Sequence, residues 1–427
     1  MQHPTLDESN VTTDRARERW ALSAFIFSLA TLQGLTINLM PLLFGPVARI
    51  YEVNLRQQGQ LQSIFLAGGI FGLLVSGYVT EWFGARRSGY LAVGLITLGT
   101  LLLGVAGSYP AVLAGAAVMG LGNMWITAVF SSVITVHFSQ SRGRMFMFAM
   151  AAFAASATLA TTLFGRLFEM FDNWQNVFIA FAAAIFGYFL LFRWIAGRRL
   201  ASLERTVSLD DEESRKKSKG LSDRLALIRN FLTEGLFNRV AFWLLVVLTV
   251  LDGIAANNII AWTGRFFQQE FGVGDSQVGL ILSASSAGVL FGRLFLGTFV
   301  SGRVANLPLL GICYAACVLM YVGVLLAPGY RVALVLIFFN GAFIAAQAPV
   351  MYAIAADKLG SRAATAIPLI SAIGTVGGFA TPALTGSVAD YYGLEAALWL
   401  IPLAGCLMVA IIFTWQILGH IRRKHDA

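Results

Sequence analysis

The sequence predicts an all-α membrane protein in which twelve transmembrane helices form two pseudo-symmetric bundles of six. Three observations carry this prediction. Hydrophobic residues make up 57% of the 427 residues and charged residues only 12%, whereas about a quarter of an ordinary soluble domain is charged. Apolar runs of about 20 residues, each long enough to cross a hydrocarbon core, recur from end to end. One long hydrophilic stretch divides these runs into two sets of six.

The predicted helices follow one another through short loops, except at that hydrophilic stretch. An N-terminal bundle is expected at residues 20–196 and a C-terminal bundle at 240–418, with a linker at 197–239. Residues 1–19 and 419–427 are predicted to be polar tails, and LSDRLALIRNFL in the linker predicts a short surface helix. In chain order the helices are expected at 20–46, 58–80, 88–107, 110–137, 144–168, 175–196, 240–266, 276–301, 304–327, 331–356, 363–388 and 394–418.

The distribution of Lys and Arg predicts the orientation of these helices in the membrane. The tails, the linker and the loops on the same side are rich in basic residues, whereas the opposite loops hold only Arg49, Arg56, Arg166, Arg265 and Arg331. Because basic loops stay in the cytoplasm, both termini are expected there, in a multi-pass protein of the bacterial inner membrane. The formal charge of +8 is therefore explained by orientation, and no nucleic-acid partner is expected.

The two halves repeat each other in sequence. LQGLTIN, from Leu32 to Asn38 in the first helix, corresponds to LDGIAAN, from Leu251 to Asn257 in the seventh. Gly59 follows Gln33 by 26 residues, and Gly279 follows Asp252 by 27 residues. Many transporters are built from such repeats and hold their substrate near the bilayer midplane between them. The repeat makes Gln33 the pseudo-symmetric counterpart of Asp252.

The loop after the second helix, GYVTEWFGARR, resembles a signature of the major facilitator superfamily. That signature reads Gly-x3-Asp-(Arg/Lys)-x-Gly-(Arg/Lys)-(Arg/Lys). Trp82 departs from it, because a basic residue usually stands there. The resemblance implies the fold of that superfamily, and it implies a cytoplasmic gating role for the matching residues Gly77, Glu81 (in place of Asp), Gly84 and Arg86.

The segment from Gln347 to Gly393 is similar to the fucose–galactose–proton symporter and related sugar-porter branches. This resemblance implies uptake of a sugar or polyol together with protons. Those relatives carry an acidic residue in the first and fourth helices, where this chain has Gln33, Asn38 and Asn123, so their proton site does not transfer. The fifth helix also lacks the Gly-Pro-x-x-Gly-Gly signature of drug:proton antiporters, which disfavours drug efflux.

Amide, hydroxyl and indole side chains recur on the first and fourth helices of each half. In this superfamily those four helices line the central cavity, so the side chains are candidates for binding a polar solute. The alternative is that the amides only join helices, at roughly 0.6 kcal/mol per hydrogen bond, and that the Trp is an interface anchor. The predicted substrate-binding residues are Gln33, Asn38, Asn123, Thr127, Asn258, Trp262, Asn340 and Gln347.

Asp252 is the one acidic residue near the middle of a predicted span. A carboxylate there costs roughly 2.5–3.5 kcal/mol unless it pairs with a cation, takes up a proton or faces water. We predict that Asp252 is a proton-coupling residue or contacts a substrate hydroxyl or amine. Two alternatives stay open: a structural ion pair with Arg293, and an uncoupled facilitator. Arg293 is itself a candidate anion site, or a residue that reaches the cytoplasmic interface.

The sequence thus predicts a secondary transporter that takes up a small polar solute by alternating access, and not an enzyme. The alternatives are a carboxylate or organic-anion porter that uses Arg293, an exporter, and a sensor that does not transport. The expected partners are the substrate, protons and the lipid bilayer, and the chain is expected to be a monomer. No cofactor or metal site is expected, because Cys313, Cys317 and Cys406 lie in apolar helices and are interpreted as packing residues.

Overall fold

The computed structural model describes residues 6–138, 141–171, 173–191, 193, 239–295, 304–360 and 363–425, and the described residues form helices joined by short connections. Twelve of the helices are long and apolar enough to cross a membrane, which confirms the predicted fold class. We number them by ordinals. Their bounds are Leu6–Ile37, Leu55–Phe83, Ala85–Gly104, Tyr109–His137, Arg142–Met170, Trp174–Leu191, Val240–Phe271, Asp275–Phe295, Asn306–Leu325, Tyr330–Leu359, Ala363–Tyr392 with a turn at Ala380, and Leu400–His425. The predicted linker, apart from Arg239, lies outside the described residues, and so does its surface helix.

Several helices are interrupted where the sequence pattern predicts continuity. The first helix ends at Ile37 and is followed by the short helices Leu39–Leu42 and Phe44–Tyr51, and the segment Leu394–Leu398 precedes the twelfth helix. Each interruption lies two or three residues before a proline, at Pro41, Pro46, Pro382 and Pro402. Proline has no N–H for the carbonyl one turn earlier and its ring clashes with that carbonyl, so the helix turns there.

Within each half the second and fourth helices pack at very short distance, in the same way. A Cβ atom on Gly68 would lie 2.1 Å from the carbonyl oxygen of Ala117, and one on Gly288 would lie 2.0 Å from that of Phe338. Only glycine allows the two backbones to approach this closely. The same contact in both halves agrees with the sequence repeat.

The halves meet on one side of the bundle. We call the side on which the first helix begins and the twelfth ends the terminal side, and the other side the outer side. Toward the outer side, the second helix packs on the eleventh and the fifth packs on the eighth. A Cβ atom on Gly59 would lie 2.2 Å from the carbonyl oxygen of Pro382, and one on Gly279 would lie 2.3 Å from that of Thr161. The two glycines are pseudo-symmetric counterparts, so one contact is repeated across the two-fold axis.

Candidate functional site

Polar side chains of the first and fourth helices form a buried network in the N-terminal half. The Gln33 side-chain amide donates to the Thr127 hydroxyl at 2.6 Å. The Asn123 amide donates to the Thr36 hydroxyl at 2.7 Å and to the backbone carbonyl of Gln33 at 3.2 Å. Asn123 is fully buried and Gln33 nearly so. Three predicted site residues, Gln33, Asn123 and Thr127, therefore lie together, and Thr36 joins them.

A second polar cluster lies in the C-terminal half. It includes Cys317, which the sequence pattern indicates is a packing residue. The half-buried Asp252 carboxylate interacts with the Tyr314 hydroxyl of the ninth helix. The Gln347 amide donates to Cys317 Sγ at 3.2 Å, and the Asn340 amide donates to the Cys317 backbone carbonyl at 3.0 Å. These five residues surround a cavity of about 30 Å³ between the seventh, ninth, tenth and twelfth helices.

Tyr314 and Cys317 are not among the predicted substrate-binding residues, which all lie on the first and fourth helices of each half. A signal for them exists in the sequence. Tyr314, Cys317 and Tyr321 are spaced three and four residues apart, so they share one helical face. All three line the cavity. A polar stripe on an otherwise apolar helix could have identified the ninth helix as part of the site.

Three other predicted substrate residues lie outside these two clusters. Asn38 and Trp262 lie where the halves meet, and Asn258 forms a hydrogen bond within its own helix. The Asn38 amide donates to the Ser286 hydroxyl of the other half at 3.0 Å. Trp262 is fully buried, donates from Nε1 to the Pro382 carbonyl at 3.2 Å and packs edge-on against Phe44 at 5.1 Å between ring centroids. Asn258 is buried and donates to Ile254 of its own helix at 3.0 Å.

Charged residues join the halves at the outer side, in a group that we call the outer latch. Arg49 pairs with Asp275 at 2.5 Å, and Gln268 donates to the same carboxylate at 2.8 Å. Asp390 accepts hydrogen bonds from the backbone N–H groups of Leu55 and Arg56, at 2.9 and 3.1 Å. A carboxylate at the start of a helix is stabilised by these free N–H groups and by the helix dipole. The outer latch thus holds the second helix of one half to the eleventh of the other, and the short helix Phe44–Tyr51 to the eighth.

The remaining predicted site residues lie toward the terminal side. Arg293 is exposed two residues before the end of the eighth helix, and among the described residues no ion pair joins it to Asp252. Gly77 is exposed with open space around it, Gly84 ends the second helix with a φ of 81°, and Arg86 lies partly buried in the next turn. The side chain of Glu81 and residues 296–303, the counterpart loop, lie outside the described part of the structure.

The hydrogen bonds that the structure gives between described residues of the two halves lie at mid-bundle or toward the outer side.

No group of three or more His, Cys, Asp or Glu that could hold a metal occurs among the described residues. A bundle of twelve apolar helices, built from two repeated halves with polar groups inside each, defines a polytopic membrane transporter.

The family follows from a direct comparison. The family model described as the Major Facilitator Superfamily matches residues 22–333 and 249–425, well over half of the chain. The chain belongs to the Major Facilitator Superfamily. This confirms the resemblance of the Gly77–Arg87 loop, and it confirms the expectation of a secondary transporter of small solutes and not an enzyme.

Relatives and similar folds agree with this assignment. A 3-(3-hydroxy-phenyl)propionate transporter of Escherichia coli (strain K12) is 23% identical over 379 residues, which cover 85% of each chain. Among solved structures, a bacterial homologue of the human lysosomal transporter Spinster, in an inward-facing and unoccupied conformation, is similar with a TM-score of 0.72. That match has 14% identity and covers 93% of this chain and 96% of the other. A D-xylose–proton symporter is similar with a TM-score of 0.69 and 14% identity, covering 92% and 97%.

Proposed function

We propose that this chain couples protons to the uptake of a small polar organic solute, with a neutral sugar or polyol as the leading class. The observation that carries the proposal is the position of Asp252. This carboxylate lies on the seventh helix beside a cavity and faces polar groups of the ninth and tenth helices, and no cation pairs with it among the described residues. A single titratable group that each side of the membrane reaches in turn is sufficient to couple proton movement to transport.

The proposed solute site lies between the two polar clusters. The N-terminal half contributes Gln33, Asn123 and Thr127, and the C-terminal half contributes Asn340 and Gln347. Amide and hydroxyl groups both donate and accept hydrogen bonds, so they suit a ligand that carries several hydroxyl groups. Asn38, Asn258 and Trp262 are proposed to reach the solute when the outer side opens, since in this conformation they are buried at mid-bundle or between the halves.

The conformation supports alternating access. With both termini in the cytoplasm, as the basic loops predict, the closed outer side faces away from the cytoplasm. We propose that this is the inward-facing state and that the outer latch stabilises it. Gly77, Glu81, Gly84 and Arg86 are proposed to stabilise the opposite state, in which the terminal side closes.

A second candidate substrate class is an aromatic carboxylate. The specific observation that favours it is the relative named a 3-(3-hydroxy-phenyl)propionate transporter, which covers most of this chain. If the substrate is such a carboxylate, Arg293 is proposed to attract the anion at the terminal side. No Lys or Arg lines the cavity beside Asp252, which favours a neutral solute over an anion.

Counterflow in proteoliposomes tests the proposal. Vesicles containing the purified protein are loaded with unlabelled D-xylose, a polyol or 3-(3-hydroxyphenyl)propionate, and entry of the same labelled compound is followed. Exchange of the sugar or polyol supports the leading class. Exchange confined to the carboxylate, lost in Arg293→Gln, would replace it with the second class. Absence of exchange for every compound in a broad solute panel would favour a sensor that does not transport.

A further inference from the structure

Tyr314 is the one hydrogen-bond partner that the structure gives to the Asp252 carboxylate among the described residues. Its side chain is fully buried, and it lines the cavity between the seventh, ninth, tenth and twelfth helices. Most other walls of this cavity are apolar, and they include Ala255, Ile259 and Ile344. Because a buried carboxylate without a donor is costly, Asp252 depends on the Tyr314 hydroxyl.

The Tyr314 hydroxyl has a second acceptor within reach. It lies 3.6 Å from the Sδ atom of Met351 on the tenth helix, and a thioether sulfur accepts a weak hydrogen bond. The Thr249 hydroxyl lies 3.7 Å from the same sulfur, but it donates its one proton to the Leu245 carbonyl at 2.7 Å. The buried Met351 sulfur is therefore free to accept from Tyr314.

A tyrosine hydroxyl holds one proton and can both donate and accept. While Asp252 is ionised its oxygens can only accept, so Tyr314 donates to them, since a hydrogen bond to a charged acceptor is roughly twice as strong as a neutral one. Once Asp252 is protonated, its own O–H can donate to the Tyr314 oxygen, and the Tyr314 proton can turn to the Met351 sulfur. Both states of Asp252 then leave no donor unpaired in this group.

We propose that Tyr314 is a positioning residue for the coupling proton, and that its hydroxyl reverses its hydrogen bond with Asp252 whenever the carboxyl gains or loses that proton. One proton enters the Asp252 carboxyl from water on one side of the membrane and leaves it to water on the other, while Tyr314 keeps its own proton throughout. The inference rests on the proposed function in one respect, which is that Asp252 is the coupling carboxylate.

No cation and no second carboxylate acts on Asp252 in the part of the chain that the structure describes. Besides Tyr314, the ninth helix brings two thiols near it, Cys317 in the cavity and Cys313 one turn earlier. The other elements packed on the seventh helix bring uncharged residues, among them Asn340 and Gln347 of the tenth helix, Gly405 of the twelfth, Gly374 of the eleventh, Val278 of the eighth and the segment Leu39–Leu42. Removal of the Tyr314 hydroxyl should therefore alter proton binding by Asp252 most directly.

The test is infrared difference spectroscopy of the purified protein between acidic and alkaline buffers, which needs no solute. The part of the carboxyl C=O band that Asp252→Asn loses belongs to Asp252, and its size against pH gives the midpoint of proton binding. Tyr314→Phe keeps the ring and removes the hydroxyl. Its midpoint should lie about 1 pH unit above that of the wild type, because the hydrogen bond lost from the charged form is stronger than the one lost from the neutral form.

Met351→Leu changes the other acceptor at nearly constant volume. It removes the partner of the Tyr314 proton when Asp252 is protonated, so its midpoint should move the other way, to lower pH, and by less. A disturbance of packing alone would not give shifts of opposite sign. In the wild type the tyrosine C–O band should change with the same midpoint as the Asp252 band, and Asp252→Asn should abolish that change.

Tyr321→Phe is the matched control, because Tyr321 is equally buried on the same helical face and its hydroxyl lies 3.4 Å from that of Thr263. Its midpoint should equal that of the wild type. A wild-type midpoint in Tyr314→Phe would overturn the inference, as would shifts of equal sign in Tyr314→Phe and Met351→Leu. So would a tyrosine band that does not follow Asp252, or the absence of any band that belongs to Asp252.

Met351→Leu and the tyrosine band of the wild type decide the question if Tyr314→Phe does not fold. Proton-driven uptake in proteoliposomes separates this inference from the proposed function. The expected midpoint shifts without proton-driven uptake would remove the proposed function alone. Proton-driven uptake together with a wild-type midpoint in Tyr314→Phe would remove the role of Tyr314 alone.

Discussion

Asn123 shows at the scale of one residue how the N-terminal half keeps polar groups in an apolar bundle. Its amide makes two hydrogen bonds to the first helix, to Thr36 and to the Gln33 carbonyl. We expect Asn123→Ala to lower the free energy of unfolding by about 1–2 kcal/mol, because hydrogen bonds between membrane helices average about 0.6 kcal/mol. The measurement is thermal or denaturant unfolding in detergent.

Thr414→Ala is the control for Asn123→Ala. Its hydroxyl is exposed and donates only within its own helix, to Ala410. Stability equal to wild type is expected. If Asn123→Ala is as stable as the control, the network does not join the two helices energetically and its residues are freer to bind a solute.

Polar residues on one face of a helix could be grouped from the sequence, whereas their contacts with a neighbouring helix could not. Gln33 and Thr36 are three residues apart on the first helix, and Asn123 and Thr127 are four apart on the fourth, so each pair shares a helical face. The structure brings these two faces together. The interaction of Asp252 with Tyr314 depends on how the ninth helix is rotated against the seventh. Helix rotation of this kind is set by packing, which hydrophobic periodicity alone does not specify.

At the scale of helices, two glycines lie where the halves touch on the closed outer side, with no room for a Cβ atom. We expect Gly59→Val and Gly279→Val to open the outer side, because a Cβ atom would lie 2.2 Å from the Pro382 oxygen and 2.3 Å from the Thr161 oxygen. Spin labels on cysteines at Gly107 and Glu395, in a background without the exposed Cys406, report the distance between the halves. That distance should increase in both variants.

Gly94→Ala is the matched control for helix packing, since a Cβ atom at Gly94 has open space around it. Its label distance should equal that of the wild type. An unchanged distance in Gly59→Val and Gly279→Val would mean that these contacts adjust by local movement and do not control closure.

The twelve helices themselves were predictable because about 20 apolar residues are needed to cross a bilayer. The interruptions at Asn38, Leu43, Ala380 and Trp399 were not, although each precedes a proline. Pro349 shows why, because the tenth helix continues through it. Whether a proline interrupts a membrane helix depends on what neighbouring helices offer to the freed carbonyl groups, which is a tertiary property.

At the scale of the whole molecule, the outer latch is proposed to stabilise the state with a closed outer side. We expect Asp390→Asn to move the equilibrium away from the closed outer side. The substitution removes the negative charge that accepts hydrogen bonds from the two N–H groups at the start of the second helix. Asp275→Asn should shift the equilibrium in the same direction, because it removes the negative charge that pairs with Arg49 and accepts from Gln268.

The label pair at Gly107 and Glu395 measures this balance as well. The variant that combines Asp275→Asn with Asp390→Asn should show the largest shift toward the longer distance. Glu270→Gln, an exposed charge change outside the latch, is the control and should leave the distance unaltered. A distance in the double variant equal to that of the wild type would show that apolar packing alone closes the outer side.

The central claim is that Asp252 links proton movement to the movement of a solute between the halves. The most direct measurement is uptake of the solute identified by counterflow, in sodium-free proteoliposomes with an imposed gradient that is acidic outside. The wild type should accumulate the solute only while the gradient lasts. Asp252→Asn should still exchange solute but should not accumulate it. Accumulation by Asp252→Asn that equals the wild type, with unaltered dependence on pH, would contradict the claim.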